Sequence, residues 1–276
     1  MRMHAKNGAV RLGDALMHYV SFGSGSRPMV LLPGLSDGLM TVKGKALLLG
    51  GPYRLFFEKY TVYMFSRKDP LPADCTIPDM ADDQAEAMAK LGIGKACIAG
   101  VSEGGMIAQA LAVRHPACVE KLVIAVSAPS VNETIRPNLE AWTGFAMAGD
   151  HKGLMIDTAE KSYSARYLEK YRKAYPFLGW VGRPKDYNRF LANVRAILRF
   201  DLRDALGRIS CPTLVIGGEE DRIVGVQASR EMQERIPGCR LYIYPGLGHA
   251  AYEEAEDFNR RIFRFFEGEP DEGPQS

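Results

Sequence analysis

The chain has 276 residues, of which 46% are hydrophobic, and a formal net charge of +2. That length fits one large α/β domain or a domain carrying an insertion, with enough apolar residues for a sizeable core, and the near-balanced charge implies no strong pull toward nucleic acid or membrane. Cys75, Cys97, Cys118, Cys211 and Cys239 are odd in number and irregularly spaced, with no C-x-x-C pair, so free thiols in a reducing, cytoplasmic compartment are expected rather than a zinc site or disulfide framework.

The first residues contain no apolar core of the kind a signal peptide has. Residues 8–12 and 15–21 are predicted to pair as a hairpin through Gly13-Asp14. The apolar run 29–32 ends in Pro33-Gly34 as a buried strand would. The next apolar stretch, 46–57, is broken by Gly50-Gly51-Pro52 and by Arg54, too interrupted to span a bilayer. Residues 60–65 read as a strand. Residues 80–91 read as a helix, with Met80, Ala81, Ala85, Met88 and Leu91 at helical spacing. A short strand at 96–99 leads into Gly100-Val101-Ser102-Glu103-Gly104, and a helix is predicted over 106–114. Residues 121–126, 213–216 and 241–244 are further buried strands, and 228–235 and 256–266 further helices. Strands alternating with helices predict a mainly parallel sheet covered on both faces. Residues 129–205 interrupt the alternation with a helix-like stretch, which divides the chain into a core over 1–128 and 206–267 and an inserted helical cap over 129–205. Residues 268–276, rich in Gly, Pro and acids, are expected to be disordered. Tyr163, Tyr167, Tyr171 and Tyr175 recur every four residues and are expected mainly to pack their helix onto its neighbours. Some of the cap's aromatics, Trp142 and Phe145 among them, are expected to face a substrate.

Gly100–Gly104 is a G-x-S-x-G box between strand and helix, the setting in which a serine is held exposed on a strained turn. A serine hydroxyl needs a base within hydrogen-bond reach, and the base needs an orienting group. Five histidines compete for the first role. His4 is near the terminus, His18 is in the hairpin, His115 ends a helix, and His151 is in the insertion. His249 follows the last predicted strand, at the sheet edge where open α/β proteins build their sites, and is the predicted base. Glu219, Glu220 and Asp221 follow the preceding strand; Asp221 is the best orienting acid, with Glu220 behind it. Two backbone donors are expected for an oxyanion: the N–H of Glu103, next to the nucleophile, and that of Leu35, with Ser36 a possible extra donor and substrate contact. The Glu103 side chain reads as ion-paired or solvated.

With these residues in hand, the sequence resembles the α/β-hydrolase fold family, in its serine esterase-like branch with a helical cap. The order Ser102, Asp221, His249 matches that family's nucleophile, acid and base. The resemblance implies an α/β fold with an eight-stranded, mostly parallel sheet, its second strand antiparallel, and a cap inserted after strand 6. Two positions depart from the family pattern. Pro33 stands in place of the customary His, and Ser66-Arg67-Lys68 stands where related chains often carry Asp-Arg. A serine nucleophile argues against epoxide opening and halide displacement. The expected function is hydrolysis of carboxylic esters of small to medium apolar acyl groups through an acyl-enzyme, with a small-molecule ester as partner. Lactone, thioester or carbon–carbon hydrolysis and perhydrolysis use the same triad and stay open. A receptor-like ligand binder with slow or no turnover is a further alternative. No dinucleotide fingerprint, P-loop or metal-ligand cluster is present, so no cofactor and no metal are expected.

Overall fold

A computed structural model describes residues 3–270 of the protein, so the last part of the predicted tail, 271–276, lies outside the described residues. In chain order the strands are β1 (Lys6–Leu12), β2 (Ala15–Phe22), β3 (Arg27–Leu32), β4 (Tyr60–Asp69), β5 (Ala96–Val101), β6 (Val119–Ala125), β7 (Thr213–Gly218) and β8 (Arg240–Tyr244). The helices are α1 (Ala46–Leu49), α2 (Ile77–Lys90), α3 (Glu103–Arg114), α4 (Ile135–Met147), α5 (His151–Ser162), α6 (Ala165–Tyr171), α7 (Asn188–Leu198), α8 (Val226–Arg235), α9 (Ala251–Glu254) and α10 (Phe258–Glu267). The eight strands form one sheet in the order β1-β2-β4-β3-β5-β6-β7-β8. Strand β2 pairs antiparallel with both neighbours, and every pairing from β4 to β8 is parallel.

The central strands are buried on both faces, which is why they read as unbroken apolar runs rather than alternating ones. Alternate residues still part to opposite sides. Val30, Leu32, Ile98, Ile124 and Val215 meet the core that holds α2, α3 and α8. Met29, Leu31, Cys97, Val123 and Ile216 meet the one closed by Ile262, Phe265 and Phe266 of α10. Helix α2 begins earlier than its apolar spacing indicates. Thr76 and Asp79 form a reciprocal capping box, and Pro78 occupies the first turn. Helix α3 likewise starts at Glu103 instead of 106, because the turn at Ser102 passes directly into the helix.

Helices α4 to α7 lie between β6 and β7. Their base is closed by a single bridge between Ser130 and Asp201. Helix α7 packs against the 3-10 turn Leu35–Gly38 that follows β3. Among the described residues no helix is long and apolar enough to cross a membrane.

Candidate active site

Ser102 sits at the end of β5 with φ 54° and ψ −120°, a conformation L-residues rarely adopt. Its neighbours over-determine that strain. The Ser102 N–H donates to Ala125 O at 2.9 Å, and its carbonyl accepts from Ser127 Oγ at 2.7 Å and from the Gly105 N–H at 2.8 Å. The flanking glycines make the turn possible. A Cβ on Gly100 would lie 2.3 Å from Gly104 O, and one on Gly104 2.0 Å from Leu32 O. Real side chains do not approach backbone that closely.

His249 lies in the loop between β8 and α9. Its Nε2 is 3.0 Å from Ser102 Oγ, and its Nδ1 is 2.8 Å from Asp221 Oδ2. With Asp221 ionised, the network assigns the proton to Nδ1 and leaves Nε2 to accept from the serine hydroxyl. Burial raises the Asp221 carboxyl. The His249 charge and hydrogen bond, with the N–H groups of Val224 and Ile223 at 2.9 and 2.8 Å, outweigh that and hold it below its ordinary value. The acid stays charged at neutral pH.

The neighbouring acids take other parts. Glu219 accepts from the Gly246 N–H at 3.0 Å and so braces the histidine loop, and Glu220 is exposed. That loop is also tied to the insertion, where the Ala250 N–H donates to Ser162 O at 2.9 Å. The remaining described histidines are elsewhere. His115 meets Asp82 at 2.7 Å, and His151, buried at the start of α5, meets Val181 O at 2.9 Å.

Leu35 and Glu103 each open a helix, where first-turn N–H groups have no partner within the helix. The two helix starts adjoin one another, since a Cβ on Gly34 would lie 3.2 Å from Ser102 Cβ. Beneath them is a buried charge network. Arg67, at the end of β4, reaches Glu103 Oε2 at 2.8 Å and Pro33 O at 2.7 Å, and its N–H donates to Asp37 Oδ2 at 3.0 Å. Arg189, from α7, donates to the same Asp37 oxygen at 2.7 Å and to the carbonyls of Arg67 and Lys68 at 2.9 and 2.6 Å. Burial pushes the Glu103 carboxyl up to about 7, with Arg67 opposing the rise. The network fastens the Leu35–Gly38 turn to β4, α3 and α7 at once. The sequence pointed to an ion-paired or solvated Glu103 side chain but gave no mark of Asp37, Arg67 and Arg189 around it. The one available signal was the Ser66-Arg67-Lys68 departure.

Ser102 and His249 open onto a cavity of about 230 Å³. Leu35, Ser36, Leu39, Met40 and Val101 line it from the core, and Trp142, Leu154, Met155, Thr158, Val181 and Phe190 line it from the insertion. Tyr252, three residues past His249, completes the wall and escaped sequence reasoning. No Lys, Arg, Asp or Glu side chain lines the cavity among the described residues. Trp142 is held by its indole N–H on Asp157 Oδ2 at 2.8 Å. Phe145 lies outside the lining. One turn further along α4, it turns toward Gly153, whose Cβ would meet its ring at 2.7 Å. The four tyrosines also stay off the cavity. Tyr163 stacks on Tyr167 at 4.5 Å, and the hydroxyls of Tyr163 and Tyr175 bond Glu253 and Glu160.

A family profile described as alpha/beta hydrolase fold matches residues 28–256. The chain is 27% identical over 275 residues to a putative carbamate hydrolase, RutD, of Caulobacter sp. strain K31, covering 93% of this chain and 97% of that protein. It is 28% identical over 235 residues to the pimeloyl-[acyl-carrier protein] methyl ester esterase of Chromobacterium violaceum, covering 80% and 91%. Among solved structures, the enol-lactonase from Burkholderia xenovorans LB400 superposes with a TM-score of 0.77 at 22% identity, covering 94% of this chain and all of that one.

Proposed function

This chain belongs to the alpha/beta hydrolase fold family, and we propose that within it the protein is a serine hydrolase that cleaves carboxylic esters of small to medium, uncharged apolar acyl groups. The observation that carries this reading is the relay from Ser102 Oγ through His249 to Asp221, at 3.0 and 2.8 Å, opening onto a cavity without charged side chains.

His249 Nε2 takes the hydroxyl proton as Ser102 Oγ bonds to the ester carbonyl carbon. The carbonyl π pair moves to oxygen, and the N–H groups of Leu35 and Glu103 receive the oxyanion. Asp221 stabilises the imidazolium without taking its proton. The oxyanion collapses, the bond to the alkoxy oxygen breaks, and His249 returns the proton to the departing alcohol. Water then repeats the sequence on the acyl-enzyme, releasing the acid and restoring Ser102.

The preference for uncharged acyl groups follows from desolvation. A carboxylate on the acyl chain would be buried without a partner, at a cost of several kcal/mol. Arg189 cannot serve it, because Asp37 and two main-chain carbonyls already hold its guanidinium. A lactone is an uncharged ester and meets the same requirements, so lactone hydrolysis is the second reading. The similarity to the methyl ester esterase accords with the ester reading.

The test is turnover of a nitrophenyl ester series from acetate to long chains, with a carboxylate-terminated member included, by wild type and Ser102→Ala. Activity on the neutral esters, weak activity on the acid and none in the variant is the expected result. A wild type that prefers the acid-bearing ester would overturn the substrate class.

A further inference from the structure

We propose that residues 170–185, together with Met40, form a docking surface for an anionic phospholipid bilayer at the mouth of the cavity. The stretch contains Lys170, Arg172, Lys173, Arg183 and Lys185 and no acidic residue. The whole-chain charge of +2, from which no membrane partner is expected, averages this local asymmetry away. Arg172 is neutralised by Glu160 at 2.8 Å. The other four are exposed, and none forms an ion pair with an acidic side chain among the described residues.

Between the cations stand large apolar side chains in water. Trp180 is 83% exposed, Phe177 64% and Val181 55%. Isolated exposed apolar residues need no explanation, but these three fall within five residues, 177–181, and run into the site. Val181 and Gly182 line the cavity, and a Cβ on Gly182 would lie 3.6 Å from the end of Met40, itself half exposed. The surface is held in place from below. Leu178 is buried, and His151 Nε2 meets Val181 O at 2.9 Å.

A tryptophan flanked by cations suits the boundary between headgroups and acyl chains, where the indole sits among the lipids and lysine or arginine meets anionic phosphate. Charge complementarity favours an anionic surface, and continuity with an uncharged cavity favours a lipid one. Such a contact rests on the surface and does not span it, in keeping with the absence of a membrane-crossing helix among the described residues.

The experiment uses the full chain carrying Ser102→Ala, so that no lipid is hydrolysed and the result does not depend on the esterase reading. Trp142 is buried and Trp180 exposed, so a change of indole emission on adding vesicles reports Trp180. With vesicles containing about a quarter phosphatidylglycerol in phosphatidylcholine, we expect co-sedimentation and a blue shift, both about tenfold weaker on pure phosphatidylcholine and lost by about 0.5 M salt. Adding Trp180→Ser should remove the shift, and Lys173→Glu with Arg183→Glu should lower partitioning by about tenfold or more. Absence of partitioning, or partitioning indifferent to these exposed substitutions, overturns the proposal. So does a blue shift that follows protein concentration without vesicles, which would assign the surface to a second copy of the chain.

Discussion

At the scale of single residues, the sequence points to Ser102, Asp221 and His249, which the fold brings within hydrogen-bond distance, because each is marked by its neighbours. Gly100 and Gly104 bracket Ser102, and the strands before Asp221 and His249 bring both to one sheet edge. The surroundings of Glu103 were not legible, because Arg67 lies 36 residues before it and Asp37 and Arg189 on two further elements. Glu103 is ion-paired at 2.8 Å yet its carboxyl is raised to about 7, so burial prevails over the attraction of Arg67. The folded chain therefore keeps this proton above the pH at which the unfolded chain releases it, and the stabilisation is lost as pH rises through about 7. Denaturant unfolding of wild type and Glu103→Gln should show the wild type losing stability relative to the variant between about pH 5 and about pH 8. A wild type that gains relative stability over that window would show that the ion pair prevails.

At the scale of elements, apolar spacing located every strand and the helices α2, α3, α8 and α10, and erred at their starts. Caps and turns set those starts, and a Thr-x-x-Asp box or a strained serine leaves no mark in apolar periodicity. One of the closest backbone approaches is at the Ser102 turn, where α3 presses against β3. Gly104→Ala would place a Cβ 2.0 Å from Leu32 O and 2.6 Å from Pro33 O, both backbone atoms that cannot turn aside. We expect this variant to lose about 3 kcal/mol or more, or to fail to fold. Gly144→Ala, on α4 with nothing within 4 Å, should instead gain about 0.5–1 kcal/mol from helix propensity. Equal melting temperatures for the two would contradict the close packing of Gly104 against Leu32 and Pro33.

At the scale of the whole molecule, the sheet brings Ser102, Asp221 and His249 to one edge, and the segment between β6 and β7 roofs them. The existence of a helical insertion was legible from the missing strands. Which of its side chains face the cavity was not, because that depends on how α4, α5 and α7 lie over the sheet; Trp142 faces inward while Phe145, three residues on, does not. The proposed function requires that Ser102 form an acyl-enzyme in a cavity without charged side chains. The most direct test is intact-mass analysis of acid-quenched protein after mixing with a nitrophenyl ester of a medium-length apolar acid, followed by peptide mapping. One added acyl mass is expected on the peptide containing Ser102, absent in Ser102→Ala. Steady hydrolysis that persists in Ser102→Ala, or an acyl group on another residue, would contradict it.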